Sequence, residues 1–306
     1  MISYIAYILI MILIAPILIS FIKAVKMFFL YKKPISLMQG YRNFSKLLTK
    51  ETIISKEASI ITRVAPFLVL SPLLLTLLFL PPFAKGVFYI NFVDAFTITG
   101  LISLSTFFLM LLGLDSASAF GGLGSSREAF VSALVEPAMI LTIFSVSMMA
   151  KDLGVAKAGI NLAMHFPKEH MSSFLFAAIS FFILLIAENG RLPVDNPETH
   201  LELTMIHEAM ILDLSGFYLA LIESASAIKF VIFATLFATL FLPFGFEQNI
   251  YLAFLIFIAK LFLVAFVVAL IEVNLAKLRF FKVPNLLGIA IVFAFLSLIT
   301  YYILGA

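Results

Sequence analysis

The sequence predicts an all-α membrane protein: eight transmembrane helices plus an amphipathic helix lying on the cytoplasmic surface. Three observations predict it. Of 306 residues, 63% are hydrophobic and only 12% charged, with a mean hydropathy of +1.16. A water-soluble chain of this size needs more polar surface than that to face its solvent. The apolar residues fall into runs of the length that a hydrocarbon core of roughly 30 Å demands, about 20 residues each. Basic residues concentrate in the intervening loops on one side.

The runs are read at 2–22, 64–80, 96–114, 129–150, 171–187, 216–241, 250–275 and 285–304. No polar stretch is long enough for a separate soluble unit, so residues 1–306 are expected to form one multi-span membrane domain. The first run lacks a preceding basic residue and a small-residue cleavage site, and reads as a retained helix. Lys23, Lys26, Lys32, Lys33, Arg42, Lys46, Lys50, Lys56 and Arg63 crowd segment 23–63, which by the positive-inside rule is cytoplasmic. Both termini are then outside, and 115–128, 188–215 and 276–284 are inside. Fourteen of the 20 Lys and Arg fall inside and four outside (Lys85, Lys151, Lys157, Lys168), with Lys229 and Lys260 within spans.

Within the first loop, Leu37, Tyr41, Phe44 and Leu48 recur at helical spacing beside Arg42, Lys46 and Lys50. That pattern predicts a helix in the headgroup plane. It serves either as an anchor or at a lateral entrance or subunit contact.

Cysteine is absent, so the chain offers no thiolate for a disulfide or an iron–sulfur cluster. His165, His170, His200 and His207 all fall in predicted loops, which disfavours a haem held between helices. No cofactor is expected on this chain. The lack of Cys and Trp, with 35 Phe, leans toward a thermophile.

Charge inside the spans is the functional signal, because a buried ionisable group is costly unless paired or hydrated. Glu136, Glu223, Lys229, Lys260 and Glu272 lie within spans four, six and seven, and Glu188 ends span five. Glu223 and Lys229 are six residues apart, about 240° around a helix, so their partners must come from other helices. Such groups relay protons or fix packing as interhelical ion pairs. Glu272, near the interface, also suits a snorkelling role.

The longest polar signature is "AENGRLPVDNPETHLELTMIHEAM", residues 187–210. Pro193 and Pro197 break any helix after Glu188, and a helix-compatible run follows Thr199. Residues 188–213 hold six carboxylates against Arg191 alone, a solvated face or a surface for protons or a basic partner. "HEAM" lacks the second His of a zinc protease helix, since Ile211 stands there. A metal held by His200, His207 and Glu208 is disfavoured, and no metal site is expected. "FGGLGSS" (120–126) lacks a phosphate loop's Lys-Ser/Thr ending and reads as a tight turn. No nucleophile with its base is visible, and nucleic-acid binding has no support.

On these residues the chain resembles the subunit-1 family of respiratory complex I. It is more similar still to the homologous membrane subunit of group 4 membrane-bound nickel–iron hydrogenases. The resemblance rests on residues 187–216, on "LDSASAFGGLGSSREAFVSALVEPA" (114–138) and on "LMQGYRNFSKLLTKE" (37–51), in that family's order. It implies a position between a redox arm, with hydrogenase-like large and small subunits, and antiporter-like membrane subunits. It implies the start of a proton or ion path at Glu136, Glu188 and Asp213, and the charges within spans, Glu223, Lys229, Lys260 and Glu272, are expected to continue it. Arg127, Arg191, Asp195, Glu198, Glu202, His207 and Glu208 would form the redox-arm interface. The expected function is thus a non-catalytic subunit that couples redox chemistry to proton or sodium translocation. The alternatives are a quinone-site subunit of a complex I-type enzyme, a sulfur-reducing relative, a self-contained transporter and a mere anchor.

Overall fold

The computed structural model describes residues 2–55, 58–81, 83–84, 93–165, 168–196 and 205–305. Among the described residues, eight helices are long and apolar enough to cross a bilayer. In chain order the helices are α1 (Ile2–Phe29), α2 (Gln39–Thr49), α3 (Ile60–Leu78), α4 (Ala95–Asp115), α5 (Ala119–Met149) and α6 (Val155–Met164). They continue with α7 (Met171–Glu188), α8 (His207–Ile211), α9 (Gly216–Leu240), α10 (Ile250–Asn274) and α11 (Val283–Gly305). Among the described residues there is no strand beyond an isolated bridge, Asp94 with Gly154.

Helix α9 is the most enclosed of the spans, and its small and apolar residues, from Ala220 to Leu240, are largely buried. Helices α1, α3, α7 and α10 pack around it. Helices α5, α7 and α11 form a second layer, tied by hydroxyls. Thr142 meets Ser180 at 2.9 Å, Ser173 meets Thr300 at 2.8 Å, and Ser145 meets Ser297. Small polar residues serve this purpose where lipid gives helices no hydrophobic reason to associate.

Two helices exceed their sequence-predicted runs by about two turns or more, and both extensions matter. Helix α1 runs on to Phe29, which buries Lys26 at 9% exposure. Helix α5 begins at Ala119 instead of 129, so the glycine-rich stretch is helical and not the tight turn that the sequence suggests. Ser118 caps it by accepting from the Gly121 N–H at 3.1 Å. The glycines are there for contact: a Cβ on Gly121 would sit 2.3 Å from the Gly113 carbonyl. One on Gly124 would sit 2.8 Å from that of Ile206. Their absence lets α5 lie directly on α4 and α8.

Helix α2 forms two residues later than its predicted apolar stripe begins. Tyr41 and Phe44 are half-buried while Leu37 and Leu48 are exposed. It rests on α1 through the Gly40 N–H, which donates to Ser20 Oγ at 2.9 Å, and through the Tyr41 hydroxyl, which donates to the Leu13 carbonyl. A Cβ on Gly40 would meet the Pro16 carbonyl oxygen at 2.7 Å. Gly40→Ala is therefore expected to lift α2 off α1 at a cost of about 1–3 kcal/mol. Faster limited proteolysis in segment 30–38 would report it, and an unchanged rate would show that the contact yields.

Candidate functional site

The polar loop after α7 folds back into the end of the bundle, and its first residues explain how. Asn189 caps α7 and Gly190 takes φ +53°, a conformation glycine adopts without strain. The Gly190 N–H donates to the Ala187 carbonyl at 3.1 Å and that of Arg191 to Ile186 at 3.0 Å. This is the Schellman arrangement that closes many helices. It turns Arg191 inward, where it is 6% exposed. Its guanidinium lies 3.2 Å from Glu272 Oε1 of α10 and 5.6 Å from the centre of the Phe230 ring. The other Glu272 oxygen is 3.7 Å from Lys26 Nζ of α1. One carboxylate thus ties α1, α10 and the loop together.

Asp195, 2% exposed, organises the next stretch. Its Oδ2 accepts from the backbone N–H groups of Ile206 and His207 at 3.2 and 3.1 Å. Its Oδ1 lies 2.5 Å from Lys277 Nζ. These charge-assisted bonds pin the start of α8 against the turn.

The last residue of α7, Glu188, lies 2.6 Å from Lys229 Nζ of α9, and Lys229 also donates to Thr106 Oγ1 of α4 at 3.1 Å. As the six-residue offset requires, Lys229 finds its partner on another helix and not in Glu223. Glu128 of α5 joins them: it shares the wall of a small chamber with Glu188, Asp195 and His207. It is also within electrostatic reach of Lys229. His207 opens α8, and burial, with the Lys229 charge beside it, holds its imidazole well below the usual range, at about 4.

A groove of about 210 Å³ runs beneath α2 and reaches this cluster. Lys23, Gln39, Asn43, Arg191, Glu208 and Glu223 are among the residues of its polar lining. Glu223 is thus placed on the groove, facing Lys23 across it and exposed.

Other predicted path residues stand apart. Glu136 accepts from Ser132 Oγ at 2.9 Å, eight residues and roughly 12 Å along α5 from Glu128. Asp213 is exposed beside a small cavity shared with Thr62 and Ser116. Lys260 reaches toward the opposite end of the bundle, 2.5 Å from the carbonyls of Leu242 and Phe244. Of the predicted interface residues, Arg127 donates to the Met205 carbonyl at 2.8 Å and lies 5.7 Å from the Phe280 ring centre. Glu198 and Glu202 lie outside the described residues. No cluster of three His, Asp or Glu able to hold a metal occurs among the described residues.

Sequence reasoning missed Glu128, Lys26 and Lys277 as members of the cluster. Lys26 and Lys277 counted only toward orientation, and a span begun at 129 left Glu128 in a loop. The signal was present for Glu128: with Ser132 and Glu136 it repeats every fourth residue, which places all three near one helix face.

Fold and site together define the class: a multi-pass membrane protein with most of its buried charges, Lys260 apart, gathered at one end of the bundle beside a polar groove. The chain belongs to the NADH dehydrogenase family, whose profile matches residues 3–303. It is 30% identical to hydrogenase-4 component C of Escherichia coli K12 over 252 residues, 81% of this chain and 78% of that one. It is 26% identical to formate hydrogenlyase subunit 4 of the same organism over 268 residues, 86% of each chain. A chain of the membrane-bound sulfane sulfur reductase, an archaeal respiratory membrane complex, has the same fold. That match has a TM-score of 0.80 at 15% identity and covers 96% of this chain and 98% of that one.

Proposed function

We propose that this chain is the coupling subunit of an energy-converting redox complex, passing a charge change at its groove into ion movement across the membrane. One observation carries the reading: the buried Glu188–Lys229 pair borders chambers that adjoin the groove beneath α2. A carboxylate and an ammonium held away from lipid can exchange protons with a wet space, and the charge of each depends on the other. The named relatives, components of a hydrogenase and of a formate hydrogenlyase, support a partner arm of the nickel–iron hydrogenase kind, with large and small subunits. In this reading antiporter-like membrane subunits flank the chain, redox cofactors reside in the partners, and the basic loops and the 188–215 segment face the cytoplasm. Helix α2 then lies along the headgroups. Glu136 extends the path along α5, and Arg127, Arg191, Asp195 and Glu208 shape the arm's seat.

The test is the purified complex in proteoliposomes, with Glu188→Gln set against the unaltered protein. Ions moved per redox turnover should fall roughly tenfold, the effect of about 1.4 kcal/mol on a transfer barrier. Electron transfer to an artificial acceptor should persist. Unchanged coupling in an assembled complex would reduce the chain to an anchor.

The groove favours a second reading, a quinone-bordering subunit, since its volume of about 210 Å³ combines apolar walls with polar groups. Reduction of an added quinone analogue by the complex, lost in Asn43→Phe, would support it. The transfer assay above is indifferent to that outcome.

A further inference from the structure

Among the described residues, His207 alone borders the groove and both chambers that adjoin Glu188. It lines the groove of about 210 Å³, a chamber of about 30 Å³ beside Lys229 and Thr106, and one of about 10 Å³ beside Glu128. Glu188 borders both chambers but not the groove. A water needs on the order of 10–15 Å³, so the larger chamber has room for one or two and the smaller is at the limit. Polar demand is present as well. Asn189 lines both the groove and the larger chamber, and its Oδ1 is buried without a hydrogen-bond partner in the fold, the circumstance in which buried water is usually found.

We propose that His207 is the proton-transfer residue joining the groove to the Glu188–Lys229 pair. The proposal rests on the ion-coupling reading above and gives it an entry point. The imidazole, held neutral by burial and by Lys229, has one nitrogen that accepts and one that donates. A hydronium in the groove gives its proton to the accepting nitrogen, so its O–H bond breaks and an N–H bond forms. The opposite N–H then breaks, and its proton reaches the Glu188 carboxylate directly or through one water in the larger chamber. One proton has moved, the ring is neutral again as its other tautomer, and a ring turn restores it. Protonated Glu188 no longer balances Lys229, whose ammonium keeps Thr106 and gains freedom to seek another anion. Asp195 fixes the backbone of His207 throughout, while Glu128, Glu208 and Glu223 are the other acids that face these spaces.

The test uses the intact complex, carboxyl-labelled with carbon-13 glutamate, in a downward pH jump followed by time-resolved infrared spectroscopy. The band that Glu188→Gln removes is assigned to Glu188. His207→Gln, close in size but unable to exchange tautomers, should slow its appearance roughly 10²-fold, the scale of a lost acid–base group, and leave its final amplitude unchanged. In His207→Ala, added imidazole should restore the rate. An unchanged rate in His207→Gln, a slowing that imidazole fails to relieve, or no Glu188 band in the unaltered complex would each overturn the proposal. The two readings separate cleanly. A rate governed by His207 in a complex that moves no ions sinks the coupling reading alone, and coupled transport with a rate indifferent to His207 sinks this one.

Discussion

Lys229→Met is expected to destabilise the assembled chain by about 3–5 kcal/mol, because it leaves the Glu188 carboxylate buried with no cation. The two side chains are only 13% and 5% exposed, so solvent cannot replace the lost partner. Thr106 does not help, since it bonds to the ammonium and not to the carboxylate. Unfolding of the purified complex in mixed detergent micelles with rising dodecyl sulfate measures the loss. The pair can be separated from the packing by a double change: Glu188→Gln with Lys229→Gln should recover most of the stability, as both charges leave together. A double variant no better than Lys229→Met would show that the loss does not come from an unpaired Glu188 carboxylate.

Arg191→Met is the second large effect, expected toward the lower end of the same range of about 3–5 kcal/mol. It is smaller because Glu272 keeps Lys26, although at 3.7 Å and not at the 3.2 Å of the arginine. The variant also loses the guanidinium over Phe230. Arg191→Lys should not rescue it, since an ammonium cannot both reach Glu272 and lie flat on the ring. Adding Lys26→Met to Arg191→Met should cost more than the two single losses combined, because only the double variant strips Glu272 of every cation. The same detergent titration decides this, and strict additivity would mean the two cations act independently.

The spans were legible because each one satisfies a length requirement set by the bilayer and a composition set by its hydrocarbon. Their ends agree with the sequence reading to within a few residues, except where α1 and α5 continue. Those exceptions share a cause. A helix whose polar turns find partners inside the bundle does not stop where apolar residues stop, and so Lys26 and Glu128 are drawn in. The sequence located ionisable groups in spans four to seven, but the first span, read as free of charge, also contributes Lys26 to the buried cluster. The sequence could not assign pairs, because Glu188 with Lys229 and Arg191 with Glu272 join segments 41 and 81 residues apart in the chain. Periodicity carries no information at that range. Lys260 shows the limit most clearly. Its depth in α10 suggests a place in the path, yet a long flexible side chain carries its ammonium a full turn or more from its own Cα.

That lysine has a mechanical consequence. By gripping two carbonyls just past the last turn of α9, it clamps the helix at one extremity while Glu188 holds Lys229 near its middle. A rod fastened at two heights resists being pushed along its axis like a piston. While Glu188 keeps its charge, whatever message crosses the membrane through α9 must then be written in rearranged charge, with the rod itself held still.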